Sequence, residues 1–323
     1  MTAIVLLIVS TIIGAGFATG AELVAFFGTS GLPPWVIAII IGVFLFAIMA
    51  GLVFLGNSRQ HPVVRHVFTA VYFAIFIVMT AGFAQMGGIL ATLLGLGFCM
   101  AVVLFGFEKL LFVNKYLMYF VLAILLHASI SNLGKIPSVA PAQVWRTVGS
   151  GLVYAGLNCC LLEAVLSKAL ERERRSRVLA SCAIASALIA VLAGLILTAI
   201  KSQGITAALP ILALSDNFVT RAAVMVCVLT SMFICLFNVS KNTTNRPYFL
   251  VLLCLCAFGL SFFGFKDILG VVYPVIGGLM VCYVGCLCGV RCFSRIRRAR
   301  RLGKHDLFVV DDTIDGLELV KNE

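Results

Sequence analysis

Three glycines and one carboxylate interrupt the first long apolar segment of the chain, where an unbroken membrane helix would otherwise be expected. Gly14, Gly16 and Gly20 fall within seven residues, and Glu22 follows them. A glycine costs about 1 kcal/mol in a helix, and backbone groups released at membrane depth are tolerated only where they line a cavity or are buried in protein. A broken helix of this kind is the best pointer in a sequence to a transporter binding site.

The chemistry predicted at this break is the binding of a small solute. The N–H groups of Gly14 to Gly16 would begin the second half of the broken helix, where partial positive charge favours an anion such as an amino-acid carboxylate. Tyr154 and Asn158, one turn apart in a later segment, offer a hydroxyl and an amide, although Tyr154 is equally explained by packing. The predicted substrate-binding residues are Gly14, Ala15, Gly16, Phe17, Gly20, Glu22, Gln85, Tyr154 and Asn158.

Glu22 needs a partner or a role, because a carboxylate inside a membrane costs roughly 2.5–3.5 kcal/mol. Three roles fit the sequence. The carboxylate would bind a solute ammonium group, carry a proton, or stabilise the break by accepting hydrogen bonds from released N–H groups. The sequence leaves these roles open.

A coupling-ion site is predicted where the eighth apolar segment faces the break. Cys227, Thr230 and Ser231 share one helix face, because residues at i, i+3 and i+4 are neighbours. Two hydroxyls and the carbonyls of Cys227, Ser10 and Ile13 would supply five oxygens, which suit Na⁺, provided the hydroxyls interrupt the helix locally. The alternative is that the hydroxyls bond to carbonyls of their own helix. The predicted ion-binding residues are Ser10, Ile13, Cys227, Thr230 and Ser231.

Bulk composition places the chain in the membrane. It has 323 residues, of which 62% are hydrophobic and 11% charged, with a mean hydropathy of +1.13. Soluble domains carry about 25% charged residues. We therefore predict an all-α polytopic membrane protein. The net charge of +11 is explained by membrane topology, so no nucleic-acid partner is expected.

Apolar runs predict about ten transmembrane helices, and basic residues orient them. The spans are 3–28, 33–56, 66–91, 94–107, 115–131, 146–167, 178–200, 217–239, 247–264 and 268–291. Nineteen of the 24 Lys and Arg residues lie on the side that holds both termini; the other five are Lys135, Arg146, Lys201, Arg221 and Lys266. The positive-inside rule then predicts a multi-pass protein of the plasma membrane with both termini in the cytoplasm.

The ten spans divide into two halves of five. The sixth span has glycines at Gly149, Gly151 and Gly156, in the place that corresponds to the first break. Broken first helices in two inverted halves are typical of LeuT-type transporters. The predicted transmembrane domain is 1–292, with repeats at about 1–132 and 145–292. A cytoplasmic tail follows at 293–323, basic and then acidic, whose basic part would lie against anionic lipid headgroups.

The run from Gly14 to Glu22, followed by Phe26 and Phe27, resembles the start of the YkvI-type membrane proteins. These are amino-acid permeases related to the amino acid/polyamine/organocation superfamily. Tyr154 with Asn158 and the run 272–277 also agree, and the resemblance extends to about Cys292. It implies the LeuT fold with helices one and six broken, and it implies amino-acid transport. Sodium-dependent members of that fold share the spacing of the predicted ion site, whereas proton-coupled relatives place a lysine in the middle of span five.

The predicted function is secondary active transport of a small organic solute, an amino acid or a related amine, by alternating access with Na⁺ as coupling ion. The alternatives are a proton-coupled or uncoupled permease, and a transporter fold reused as a membrane sensor or scaffold. An enzyme is not expected, because aspartates are absent from the interiors of the spans and the four histidines are scattered. The partners expected are the solute and the lipid bilayer. No cofactor beyond the coupling ion, Na⁺ or H⁺, and no transition metal is predicted.

Overall fold

The structure, a computed structural model, describes the ranges 2–56, 62–105, 108–134, 143–242, 247–263 and 265–302, and the regular secondary structure within them is entirely helical. The chain divides into two units, Met1–Val281 and Cys282–Glu323. The helices are α1 (Thr2–Ile12), α2 (Ala15–Thr19), α3 (Ala21–Phe27), α4 (Pro34–Leu55), α5 (Pro62–Phe105), α6 (Glu108–Ser131), α7 (Val144–Arg172), α8 (Arg175–Ser202), α9 (Pro210–Leu214), α10 (Phe218–Asn242), α11 (Pro247–Leu260) and α12 (Phe265–Leu302), with a short 3₁₀ helix at Ser261–Phe263. Of the second unit, the structure describes the final part of α12, on which Cys282, Cys286 and Cys292 are exposed.

Within these ranges, five helical segments are long and apolar enough to cross a membrane. They are Pro34–Leu55, Arg65–Leu104, Arg175–Ser202, Phe218–Ser240 and Ile268–Ser294. A sixth is formed if Val144–Glu163 and Val165–Arg172, bent by 55° at their junction, count as one span. The prediction of a helical membrane protein is confirmed at this level, and the count of ten remains a prediction.

The outward face of α4 shows why these helices need lipid around them. Trp35, Ile39, Val43 and Phe46 are spaced as one helix stripe and are 39–65% exposed, while residues such as Ile41 on the opposite side are buried. A helix that is apolar on all sides belongs in a membrane or a large core. Contiguous exposed apolar surface of this kind marks contact with lipid or another protein.

The long helix α5 contains a turn that divides it into two segments. Gly88 has φ +73° and ψ −175°, which is not helical. The Phe83 ring lies 3.0 Å from the position that a Cβ on Gly95 would occupy, whereas a straight helix would separate these residues by about 18 Å along its axis. The chain therefore folds back at Gly88. The two segments match the separate third and fourth spans that the sequence predicts.

The break predicted in the sixth span at Gly149, Gly151 and Gly156 is wrong, because α7 is helical through these three glycines. The 55° bend of α7 lies further along the chain, between Val144–Glu163 and Val165–Arg172. The glycines of α7 serve close packing instead. A Cβ on Gly156 would collide with the Gly277 carbonyl of α12, and a Cβ on Gly277 would collide with the Val153 carbonyl. Small residues let membrane helices approach backbone to backbone. We call this contact between Gly156 and Gly277 the glycine seam.

Several residues used for the predicted orientation lie outside the described ranges. They are Lys135, on the predicted outer side, and the residues of the tail from 303 onwards. The placement of both termini in the cytoplasm therefore stays a prediction.

Candidate functional site

The first predicted span is a broken helix in the structure. α1 ends at Ile12, and Gly14 has an extended backbone with φ −83° and ψ −170°. α2 then covers only five residues before Gly20, whose φ of +76° separates it from α3. The segment thus has two interruptions, one at each end of α2, and the predicted break is confirmed.

A narrow cavity of about 30 Å³ lies beside this break, enclosed by α1, α3, α5, α7, α10 and α12. One water molecule needs about 10–15 Å³ on this measure, so the cavity accommodates about two waters and is too small for an amino acid. Its polar lining residues are Ser10, Thr11, Glu22, Asn158, Thr230, Ser231 and Tyr273. The break and the polar side chains of three later helices therefore meet at one place.

Glu22 occupies the centre of this arrangement. Glu22 is 6% exposed. Its side chain lies against Gly16, and a Cβ on Gly16 would overlap the Glu22 carboxyl group. The glycine at position 16 is thus needed to make room for the carboxylate. The Tyr273 hydroxyl is close enough to interact with this carboxyl group. Even so, neither that hydroxyl nor Glu22 Oε2 has a hydrogen bond of good geometry within the described residues.

Tyr154 is held at the break by aromatic packing. Its ring centroid lies 5.5 Å from that of Phe26 and 5.6 Å from that of Phe27, both edge to face. Its hydroxyl is fully buried and lacks a hydrogen bond in the part of the chain that the structure covers. The structure thus shows the packing role of Tyr154, and Tyr154 is not among the described residues that line the cavity. Asn158 Nδ2 donates to the Tyr154 carbonyl at 3.0 Å.

The five predicted ion-binding residues come together where α10 contacts the end of α1. The Cys227 thiol donates to the Ile13 carbonyl at 3.2 Å, and Ser231 Oγ lies 3.3 Å from the position of a Cβ on Gly14. Ser10, Thr230 and Ser231 line the shared cavity. The contact of α10 with the break, which the sequence predicts, is therefore present.

The hydroxyls of that cluster do not open the α10 helix. Thr230 Oγ1 and Ser231 Oγ donate to the Cys227 carbonyl at 2.8 and 3.1 Å, and α10 is continuous over Phe218–Asn242. The prediction that the Cys227 carbonyl is released from its helix is wrong, because the hydroxyls bond to their own helix instead. A hydroxyl that donates a hydrogen bond keeps acceptor lone pairs on its oxygen, and at Thr230 these are the groups left for an ion.

The remaining predicted residues divide between the break and the periphery. Phe17 is fully buried, and Gly20 packs against Pro210, Ile200 and Ile211. Ala15 contributes the first residue of α2. Gln85 does not line the cavity, because it is exposed on α5 three residues before the turn at Gly88.

Tyr273 is the main residue that sequence reasoning did not place in the site. Tyr273 is 1% exposed, and it directly precedes Pro274, which lies inside α12. A proline within a helix removes one backbone hydrogen bond. A buried tyrosine beside such a position in a membrane helix is the signal that would have found it.

Comparison with known proteins yields no relative from which a role can be transferred. No protein-family model matches the chain, and no curated protein matches it either.

Proposed function

We propose that this protein is a secondary active transporter of a small organic solute, an amino acid or a related amine. The observation that carries the proposal is the buried, unsatisfied Glu22 carboxylate in a cavity formed at a helix broken on both sides of α2. Discontinuous helices in transporters expose backbone and polar groups at the binding site near the middle of the bilayer. An ionisable residue in a membrane segment indicates a functional site by default.

The helix order supports a ten-span arrangement. Each predicted span falls on a described helix or on one of the two segments of α5. We propose that α1 to α3 together form one broken span and that both termini face the cytoplasm. The two halves then have five spans each, as in the LeuT fold. The leading helix of the first half is interrupted at Gly14 and Gly20, whereas α7 bends by 55° after Glu163 and not at its glycines, so the proposed relation between the halves rests on helix order.

The size of the cavity supports alternating access. A space of about 30 Å³ cannot contain an amino acid, so the solute must bind to a conformation in which the surrounding helices have moved apart. Gly20 is surrounded by side chains of α8 and α9. We propose that α9, with Pro210 and Ile211 buried, covers the break from the outer side and moves away when the solute enters.

We propose Na⁺ as the coupling ion, bound between the end of α1 and the hydroxyls of α10. The second candidate is H⁺, carried by Glu22. A specific observation favours this second candidate, since Oε2 has no partner among the described residues, whereas the hydroxyls and the thiol of the ion cluster are already hydrogen-bonded.

The proposal is tested with purified protein in proteoliposomes. We expect uptake of radiolabelled L-alanine to rise above that of protein-free vesicles, and to change further when an inward Na⁺ gradient or a proton gradient is imposed. Gly16→Ala should abolish the uptake, because the added methyl overlaps the Glu22 carboxyl group. Gly149→Ala is the matched control, because nothing lies within 4 Å of a Cβ there. If no amino acid or amine is taken up under any gradient, the transporter proposal fails in favour of a sensor or scaffold.

A further inference from the structure

The described lining of the cavity beside the break includes an acidic side chain and no basic one. Glu22 is the only acidic residue among the described residues that line it, and none of those residues is Lys, Arg or His. The titratable groups that face the carboxylate from the neighbouring helices are Tyr154 of α7, Cys227 and Cys235 of α10, and Tyr273 of α12. All of these are neutral acids in their protonated form. No described neighbour therefore supplies the positive charge that the carboxylate lacks.

The hydrogen-bond donors of the lining are already engaged. Ser10 and Thr11 donate to the Leu7 carbonyl at 2.9 and 2.8 Å. In the same way, the Thr230 and Ser231 hydroxyls donate to the Cys227 carbonyl.

The amide nitrogen of Asn158 donates to the Tyr154 carbonyl. Of the polar lining groups, the hydroxyl of Tyr273 alone is a donor with no hydrogen bond among the described residues. The surface left to a ligand consists of a carboxylate and the lone pairs of hydroxyl and amide oxygens. Such a surface recognises a cation that carries several N–H donors.

An anion has little to hold it here. The carboxylate of an amino acid was expected at the start of the second half-helix, but α2 has only five residues. Its few aligned peptide groups sum to a small dipole, and Glu22 lies against the same turn at Gly16. The negative charge of Glu22 opposes a second negative charge at that position.

We propose that Glu22 binds the ammonium group of the transported solute, and that this ammonium replaces a proton that Glu22 carries when the cavity is closed without solute. The inference rests on the proposed transport function and specifies its substrate class as compounds with a primary ammonium group. The exchange balances as follows. The O–H bond of the carboxylic acid breaks, its proton leaves to water, and the carboxylate forms an ion pair with the incoming ammonium.

The reason for the exchange is charge neutrality at a buried position, since Glu22 is 6% exposed. A bare carboxylate there would be an uncompensated buried charge, which is strongly unfavourable. One proton or one ammonium removes that charge, and both together would leave an unpaired positive charge. The two cations therefore compete for a single position.

The test uses three probes with the same two-carbon apolar body and different charged groups: ethylamine, L-alanine and propionate. We expect ethylamine to raise the melting temperature of the purified protein and propionate to leave it unchanged. L-Alanine should raise it less than ethylamine, because its carboxylate adds a second negative charge beside Glu22. In weakly buffered solution, binding of ethylamine should release close to one proton per protein. Glu22→Gln should remove the proton release and weaken ethylamine binding at least tenfold.

Two further variants keep the result interpretable. Glu163→Gln makes the same chemical change on α7 away from the cavity and should bind like the wild type. Tyr273→Phe should weaken ethylamine binding several-fold and retain the proton release, since the carboxyl group remains. If Glu22→Gln does not fold, Glu22→Asp replaces it, and its shorter side chain should weaken binding by drawing the carboxylate away from the cavity.

The outcomes separate this inference from the proposed function. Binding of propionate as tight as that of L-alanine, binding without proton release, or no stabilisation by ethylamine would each overturn the ammonium site. Uptake of L-alanine without proton release leaves transport standing and rejects only the exchange at Glu22. Absence of any uptake by proteoliposomes rejects the proposed function itself.

Discussion

The Nζ atom of Lys201 lies 2.8 Å from the carbonyl oxygen of Ser30. The same ammonium donates to the Leu32 carbonyl at 3.2 Å. These bonds connect the last turn of α8 to the short segment between α3 and α4. The next residue, Ser202, donates to the Asn132 carbonyl at 3.0 Å. The end of α8 therefore links the segment that follows the broken helix to the segment that follows α6.

Lys201→Met should loosen this connection while keeping the apolar stem of the side chain. Hydrogen bonds from a charged group contribute about 1.5–3 kcal/mol each, and Lys201 is partly exposed, so we expect a loss of about 1–2 kcal/mol in the free energy of unfolding. Denaturant titration of the purified protein measures it. Arg221→Met is the control, because its ion pair with Asp216 is about half exposed and should contribute at most about 1 kcal/mol. Equal losses in the two variants would contradict the structural role of Lys201.

Because of the glycine seam, we expect alanine to have different effects on stability at the neighbouring positions Gly277 and Gly278. Gly277→Ala places a methyl against the Val153 carbonyl, whereas nothing lies within 4 Å of a Cβ on Gly278. We expect Gly277→Ala to lower the free energy of unfolding by about 1–3 kcal/mol, the usual effect of overpacking. Gly278→Ala should leave it unchanged or raise it slightly. Similar melting curves for the two variants would show that α7 and α12 are not in backbone contact.

Alanine substitutions at Gly20 and Gly88 distinguish the cost of backbone strain from the cost of a side-chain collision. Both have positive φ, +76° and +73°, so alanine costs about 1–2 kcal/mol at either position. A Cβ on Gly20 would also lie 3.2 Å from Ile200 and 3.3 Å from Pro210 and Ile211, while Gly88 has no neighbour within 4 Å. Gly20→Ala should therefore be the less stable variant in thermal unfolding, and it should increase thiol labelling at a Leu212→Cys reporter on α9. A larger effect at Gly88 would disagree with the packing of α9 on the break.

The sodium site is tested by removing its hydroxyls together. Thr230→Ala combined with Ser231→Ala deletes both proposed hydroxyl ligands of α10 and leaves the apolar packing of that helix nearly intact. Because Thr230 Oγ1 and Ser231 Oγ both donate to a carbonyl of their own helix, the double variant should fold. We expect Na⁺ to raise the melting temperature of the wild type and not that of the double variant, with K⁺ as the ionic-strength control. An unchanged Na⁺ effect in the double variant would falsify the site and leave proton coupling through Glu22.

The positions of the helices follow from apolar runs of the right length, and the break at Gly14 follows from glycines placed where a helix should continue. The apolar runs predict a boundary between the third and fourth spans at 91–94, a few residues after the turn that the structure has at Gly88. The glycines of α7 were misread, because a glycine that breaks a helix and a glycine that admits a neighbouring backbone look alike in one sequence. Only the partner, Gly277 on α12, distinguishes the two uses.

The composition of the candidate site was predictable in part. Ser10, Thr230 and Ser231 meet Glu22 and Asn158 in one cavity, as helix periodicity and the break together imply. The direction of each hydroxyl was not predictable, because a hydroxyl bonds as readily to its own helix as to an ion. Tyr273 entered the site through the packing of α12 on α7, which depends on tertiary contacts and not on local pattern.

The glycine seam has a consequence for how this protein would choose among solutes of different length. Tyr154 lies two residues before Gly156, and Tyr273 lies four residues before Gly277. The separation of the two phenol rings is therefore fixed by a contact between main chains, which has no side chain that can rotate to make room. A single methyl group added at the seam would push the two main chains apart and widen that separation. Under the proposed transport function, the width available to a solute beside Tyr273 would therefore be set by residues outside the cavity wall.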